Sequence, residues 1–150
     1  MRNWKSLLVF LLITVGAAAT GTISQPDAWF NVLAKPSFMP PTWLFPPVWS
    51  LLYFLMAFAA WRVYRIDGVR AAIVLWFVQL LANAAWTPLF FGLHRVDFAL
   101  ADIVALIVLI VATTFAFFRR DRVAGVLMIP YLAWVGFATA LTFAIWKLNG

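Results

Sequence analysis

Residues 96–122 read VDFALADIVALIVLIVATTFAFFRRDR. Between Phe98 and Phe118 one charged side chain, Asp102, interrupts an otherwise apolar run, and Arg119-Arg120-Asp121-Arg122 closes it. About 20 mostly apolar residues are needed to carry a helix across a bilayer. A transmembrane barrel strand would alternate with period two, and this run does not. Working outward, segments of the same kind fall at 5–24, 44–64, 70–91 and 123–148, beside 96–118 itself. Arg65-Ile66-Asp67-Gly68 and His94-Arg95-Val96-Asp97 punctuate the others. Connections this short suit antiparallel neighbours. The expected fold is an all-α integral membrane protein, a five-transmembrane-helix bundle forming a single domain over residues 1–150.

Composition agrees. Of the 150 residues, 66% are hydrophobic and 11% charged, and the mean hydropathy is +0.99. Soluble domains have about 25% charged residues, so a soluble enzyme, a disordered regulator and a nucleic-acid-binding domain are all disfavoured. The net charge of +6 is expected to report membrane topology, with no nucleic-acid partner. The absence of cysteine rules out disulfides, thiolate metal sites and cysteine nucleophiles.

Basic residues divide unevenly between the two faces of such a bundle. The face of the N-terminus holds Arg2, Lys5, Arg62, Arg65, Arg70, Arg119, Arg120 and Arg122, and the other holds Lys35, Arg95 and Lys147. The positive-inside rule then predicts a cytoplasmic N-terminus and an external C-terminus in an inner membrane. A bacterial cell membrane is expected, with an outer membrane as the alternative. Met1–Lys5 followed by Gly16-Ala17-Ala18-Ala19-Thr20 has some look of a signal peptide. Four further spans make a retained first helix the simpler reading.

One connection is long, residues 25–43, from Gln25-Pro26-Asp27 to Pro40-Pro41-Thr42-Trp43, and Pro46-Pro47 opens the next helix. Proline fixes φ and stiffens such a segment. It is either a plain connector with interfacial aromatics or a lid over a ligand cavity. Depth favours looking beneath it. Trp49 and Tyr53 lie near the external end of span two; Gln79, Asn83, Trp86 and Phe90 form one stripe at the external end of span three. Asp102 lies early in span four, and Trp134, Ala138 and Leu141 share a face of span five. Trp4, Trp29, Trp43 and Trp146, near segment ends, suit interfacial anchoring. For Trp49, Trp86 and Trp134 the alternatives are core packing and a pocket wall. Gln79 and Asn83 either tie helices together or line a polar pocket. Asp102 either faces that pocket or reaches water.

Pro88 and Pro130 inside spans are expected to kink their helices. Small residues at Ala17/Gly21 and Gly136/Ala140 could bring two bundles together as a homodimer or pack within one. His94 is a lone loop histidine without a neighbouring ligand, so metal or haem ligation is not expected of it. No Ser-His-Asp set, paired carboxylates, phosphate-binding glycine loop or metal cluster is present. From the residues alone, the expectation is a membrane bundle with an aromatic, partly polar cavity for a flat, mostly apolar ligand.

Several stretches carry a resemblance. Trp29-Phe30-Asn31-Val32-Leu33-Ala34-Lys35-Pro36, Pro40-Pro41 and Phe45-Pro46-Pro47-Val48-Trp49-Ser50-Leu51-Leu52-Tyr53 resemble the TspO family of tryptophan-rich sensory and translocator proteins. Gln79-Leu80-Leu81-Ala82-Asn83-Ala84-Ala85-Trp86 with Phe90-Phe91, Ala99-Leu100-Ala101-Asp102, and Pro130-Tyr131-Leu132-Ala133-Trp134 agree in order and spacing. The resemblance implies five transmembrane helices, frequent homodimers, and binding of porphyrins, haem, sterols and benzodiazepine-type ligands, with roles in tetrapyrrole homeostasis or stress sensing. It implies a ligand wall of Phe30, Trp49, Tyr53, Asn83, Trp86, Trp134 and Ala138, with Trp49 and Trp134 matching the pair implicated in light-dependent porphyrin breakdown. No obligatory cofactor and no metal are implied; porphyrin or haem is the ligand.

Two departures matter. Trp29-Phe30 stands where many members have Trp-Tyr, and Leu141-Thr142 where many have Leu-Asn. Between Leu141 and Lys147 there is no tyrosine to complete a sterol-recognition pattern, which ranks a tetrapyrrole above a sterol. The leading expectation is a tetrapyrrole-binding receptor or regulator, with a porphyrin or sterol transporter and a tryptophan-dependent photo-oxidant as rivals.

Overall fold

The computed structural model of the chain describes residues 3–20 and 27–149. Among these residues there are six helices and no strand. They are α1 (Asn3–Ala18), α2 (Ala28–Val32), α3 (Phe45–Asp67), α4 (Ala71–Thr87), α5 (Val96–Arg120) and α6 (Arg122–Asn149). A 3₁₀ turn at Thr42–Leu44 leads into α3, and a π turn at Pro88–Gly92 extends α4.

Four stretches are long and apolar enough to cross a membrane: Thr42–Asp67, Ala71–Gly92, Val96–Arg120 and Arg122–Asn149. They fit a multi-pass membrane protein. The apolar part of α1, Trp4–Ala18, is shorter. The span expected at 5–24 runs on into residues 21–26, outside the described residues, as does Gly21 of the Ala17/Gly21 pair.

The outer surface is apolar in a regular way. Val104, Val108, Val111 and Phe115 of α5 are 48–63% exposed and recur at i, i+4, i+7 and i+11, one helical stripe. The buried face of α5 carries Ile103, Leu106, Ile110 and Phe117. Small residues let the other helices come close: Ala57, Ala59 and Ala60 of α3 are fully buried, as expected where membrane helices pack on their backbones. Gly125 of α6 is the tightest approach, since a Cβ there would overlap the Phe118 ring at the end of α5. At Gly136 an added Cβ would meet Ile107 of α5 at 4.0 Å, so this glycine faces its own bundle.

Three buried threonines satisfy themselves along their helices, whereas the Thr114 hydroxyl is covered without a partner. The hydroxyls of Thr14, Thr113 and Thr142 donate to the carbonyls of Phe10, Leu109 and Ala138, four residues back.

The two ends of the bundle differ. At one end α3 is tied to the α5–α6 junction by Arg62 Nε donating to Asp121 Oδ2 (2.6 Å) and by an Arg120–Asp67 ion pair (2.7 Å). The Arg62 guanidinium beside Asp121 holds its carboxyl below the usual range. Gly68 closes α3 at φ 70°, a left-handed conformation that suits glycine. α1 joins this end through Trp61 Nε1, which donates to Ser6 Oγ (3.0 Å), and through Phe10, edge-on to Tyr64 and Trp76.

At the other end, segment 27–44 lies against the ends of α4 and α6. Asp27 caps α2 by accepting from the Phe30 amide (3.3 Å). The Asn149 side chain clasps Ala34 by both backbone groups (2.9 and 2.8 Å). Pro88 and Pro130 both lie inside membrane-spanning stretches. Proline at 88 cannot donate, and the chain widens there into the π turn, Leu93 N–H reaching back to Pro88 O (2.8 Å). Pro130 sits inside α6, which continues to Asn149.

Candidate ligand-binding site

Three helices meet in a buried chain of polar side chains. Tyr53 of α3 donates its hydroxyl hydrogen to Asn83 Oδ1 of α4 (2.7 Å). Asn83 Nδ2 donates to the Tyr131 hydroxyl of α6 (2.9 Å), and Tyr131 donates to Gln79 Oε1 (2.6 Å). Gln79 Nε2 ends the chain on Met56 Sδ (3.5 Å). Every bond crosses between helices, so the four side chains fix one another's rotamers and the register of α3, α4 and α6. Gln79 and Tyr131 are fully buried and Asn83 nearly so. In a low-dielectric interior such a set is strongly coupled when complete.

Aromatic rings surround this chain. Trp49 contacts Tyr53 (5.5 Å between centroids) and lies edge-on to Tyr131 (6.4 Å). Trp134, one turn beyond Tyr131, meets Phe45 (5.8 Å) and Phe137 (5.5 Å). Trp86 stacks on Phe90 (4.8 Å), which Phe30 and Trp29 approach edge-on from the loop. Ala138 is half-buried beside the main core.

The predicted residues therefore form two connected groups. Trp49, Tyr53, Asn83 and Gln79 converge on Tyr131, while Phe30 belongs to a second cluster with Phe90, Ala99, Leu141 and Ile145. Trp86 packs against both. Asp102 is half-buried, with Oδ2 covered and making no hydrogen bond. The indole N–H groups of Trp86 and Trp134 are likewise covered and without an acceptor. Thr142, where an asparagine is common in the resembled family, spends its hydroxyl on Ala138 O.

Two grooves of about 410 Å3 each lie elsewhere. One runs between α1, the end of α3 and α4, past Ser6, Phe10, Tyr64 and Trp76. The other lies between α5 and the end of α6, past Asp97, Ala101 and Trp146.

Sequence reasoning missed two features. Tyr131 lies within Pro130-Tyr131-Leu132-Ala133-Trp134, yet only the meeting of three helices makes it the hub. The available signal was a tyrosine inside a span, whose hydroxyl must find a partner. The second is a correction: His94 does have a neighbour. Its Nε2 meets Asp27 Oδ2 (3.0 Å) and its ring stacks on Trp29 (4.3 Å, 12°). Asp27 is 67 residues away in sequence, which hid the pair. His94 adopts φ 56° to make it, a conformation uncommon outside glycine. Desolvation alone would raise the Asp27 carboxyl, but hydrogen bonds from His94 and the Phe30 amide leave it below its ordinary range. Among the described residues, no group of three His, Cys, Asp or Glu could hold a metal.

The model of the TspO/MBR family matches residues 7–147. The chain belongs to that family. It is 43% identical over 147 residues to a tryptophan-rich sensory protein of Cereibacter sphaeroides, covering 98% of this chain and 93% of the relative. It is 40% identical to the tryptophan-rich protein TspO of Chlorobaculum tepidum, covering 96% and 94%. With the human translocator protein it shares 37% identity over 126 residues, 81% of this chain and 75% of that protein. Bacterial relatives of this similarity fit a bacterial membrane.

Proposed function

We propose that this TspO-family protein is a membrane receptor or regulator that binds a tetrapyrrole, protoporphyrin IX or haem, in the half of the bundle under the proline-rich loop. The wall of the site is Phe30, Trp49, Tyr53, Asn83, Trp86, Trp134 and Ala138, with Gln79 and Asp102 as its polar members. Among the described residues, three buried indole N–H donors lack an acceptor, Trp76, Trp86 and Trp134, and the observation that carries this reading is that two of them, Trp86 and Trp134, lie within the shell of aromatic rings described above. Buried donors without partners are rare, and a flat ring bearing acceptors at its edge would satisfy both donors and stack on the shell. Sterols and benzodiazepine-type ligands rank second, since they offer fewer edge acceptors.

In this reading α1 is the first of five spans and the 27–44 segment caps the site. The N-terminus is cytoplasmic, because eight basic residues lie on its face against three on the other. The protein works as a homodimer in a bacterial cell membrane. Transport ranks behind binding because the wall residues named above belong to one half of the bundle, whereas a carrier needs an opening to both faces. The test is quenching of intrinsic fluorescence by protoporphyrin IX in nanodiscs. Saturable quenching that weakens in Trp49→Phe supports the reading, and none above that of empty discs defeats it.

A further inference from the structure

The groove of about 410 Å3 between α1, the end of α3 and α4 lies at the end of the bundle away from the loop, and its walls are almost wholly apolar. Along α1 it runs from Ser6 to Ile13, seven residues or about 10 Å. The hydrocarbon of one leaflet is about 15 Å deep, half of the membrane core. The groove therefore has the length of part of one acyl chain and does not cross the bundle. Trp76 is among its lining residues and is 1% exposed. Its indole Nε1 is covered and makes no hydrogen bond, a rare state for a buried donor. Trp76 is five residues past the start of α4, about 8 Å below the helix end. A carbonyl oxygen pushed between the lining side chains at that depth would satisfy it.

Positive charge stands at the mouth. Lys5, Arg65 and Arg70 directly adjoin the lining residues Ser6, Tyr64 and Val69 in the chain, and all three are exposed. The two acids at this end are already held, Asp121 by Arg62 and Asp67 by Arg120. No acid is left here to neutralise the three cations. Apolar walls, a donor one or two turns down and uncompensated cations above match the order of groups in an anionic glycerophospholipid: acyl chain, ester carbonyl, phosphate. Basic pockets between membrane helices bind such head groups.

We propose that this groove is a site for an anionic glycerophospholipid, with one acyl chain along Phe10 and Phe77, an ester carbonyl toward Trp76 and the phosphate among Lys5, Arg65 and Arg70. It takes α1 as a membrane span, as above, and is independent of the tetrapyrrole. The test is native mass spectrometry of the full chain from mild detergent, with phosphatidylglycerol or phosphatidylcholine of the same chains added. Wild type should retain one phosphatidylglycerol per chain, at least about tenfold in preference to phosphatidylcholine, as two or three basic groups near a head group would give. The Arg65→Gln/Arg70→Gln double variant should lose most of that preference. Arg119→Gln/Arg122→Gln removes equal charge outside the groove lining and should keep it. Val74→Trp fills the groove from a half-exposed lining position and should abolish retention of the lipid with helix content and melting unchanged. Trp76→Phe, a ring without the donor, should weaken retention severalfold. Equal retention of both lipids, an equal loss in the Arg119/Arg122 variant, or retention undiminished in Val74→Trp overturns the proposal. So does a dimer that keeps no added lipid, the groove then being covered by a second copy.

Discussion

The Tyr131 hydroxyl stands between Asn83 and Gln79, accepting from one at 2.9 Å and donating to the other at 2.6 Å. Removing that single oxygen strands both partners. Tyr131→Phe keeps the ring and its contact with Trp49 but leaves Asn83 Nδ2 and Gln79 Oε1 unpaired in the interior. Stranding buried groups costs about 1–3 kcal/mol in soluble proteins, and single bonds between membrane helices average about 0.6 kcal/mol. A loss of about 1–2 kcal/mol is expected in reversible unfolding in mild detergent. Adding Gln79→Leu should restore part of it, which a simple loss of packing would not allow.

Gly125→Ala should destabilise the α5–α6 hairpin. A methyl group there runs into the body of the Phe118 ring rather than a mobile tip. Overpacking of this kind costs about 1–3 kcal/mol. The double variant with Phe118→Ala should recover most of the loss, since the ring is the obstacle. Thermal stability of the single and double variants, read in the same detergent, checks it.

The Arg62–Asp121 pair gives stability a defined pH dependence. The Asp121 carboxyl titrates lower in the folded chain than its ordinary value of about 3.9. The unfolded chain therefore takes up the proton first as pH falls. The pair's contribution is complete above about pH 4–5 and is lost as pH drops through the depressed folded value. Unfolding midpoints measured from pH 6 to 3 should fall more steeply for wild type than for Arg62→Gln, the curves converging at the acid end.

The loop is held by two separate clasps, Asn149 on Ala34 and His94 on Asp27. Asn149→Ala should speed amide hydrogen exchange around Ala34, and His94→Ala should do so around α2, each leaving the other region slower. Equal loosening of both by either variant would mean that the segment moves as one unit. These clasps also show what the sequence hides. The four long spans are legible in their apolar runs and charged punctuation, because lipid imposes a length and a composition on each helix separately. The Gln79–Asn83–Trp86–Phe90 stripe is legible for the same local reason, helical periodicity. Ala34–Asn149 is 115 residues apart and Asp27–His94 is 67, and no local pattern encodes such pairs. Tyr131 falls between these cases. Its presence within a span announces a bonded hydroxyl, but only the approach of α3 and α4 decides with what.

Trp134→Phe separates binding from any chemistry by the tryptophans. A phenyl ring keeps the apolar contacts with Phe45 and Phe137, which lie 5.8 and 5.5 Å from the indole. The variant loses the unpartnered indole N–H and the low oxidation potential of indole. The hydrogen bond this donor would give the ligand is worth about 0.5–1.5 kcal/mol, so dark affinity for protoporphyrin should fall by about tenfold. Trp134→Ala should weaken binding further, because it opens space beside Ala138. If an excited porphyrin draws an electron from Trp134, light-dependent loss of porphyrin at matched occupancy should slow far more than affinity does. Each variant is titrated in the dark, brought to equal occupancy, and illuminated while the porphyrin absorbance is followed. Loss as fast as in wild type excludes Trp134 as the electron donor.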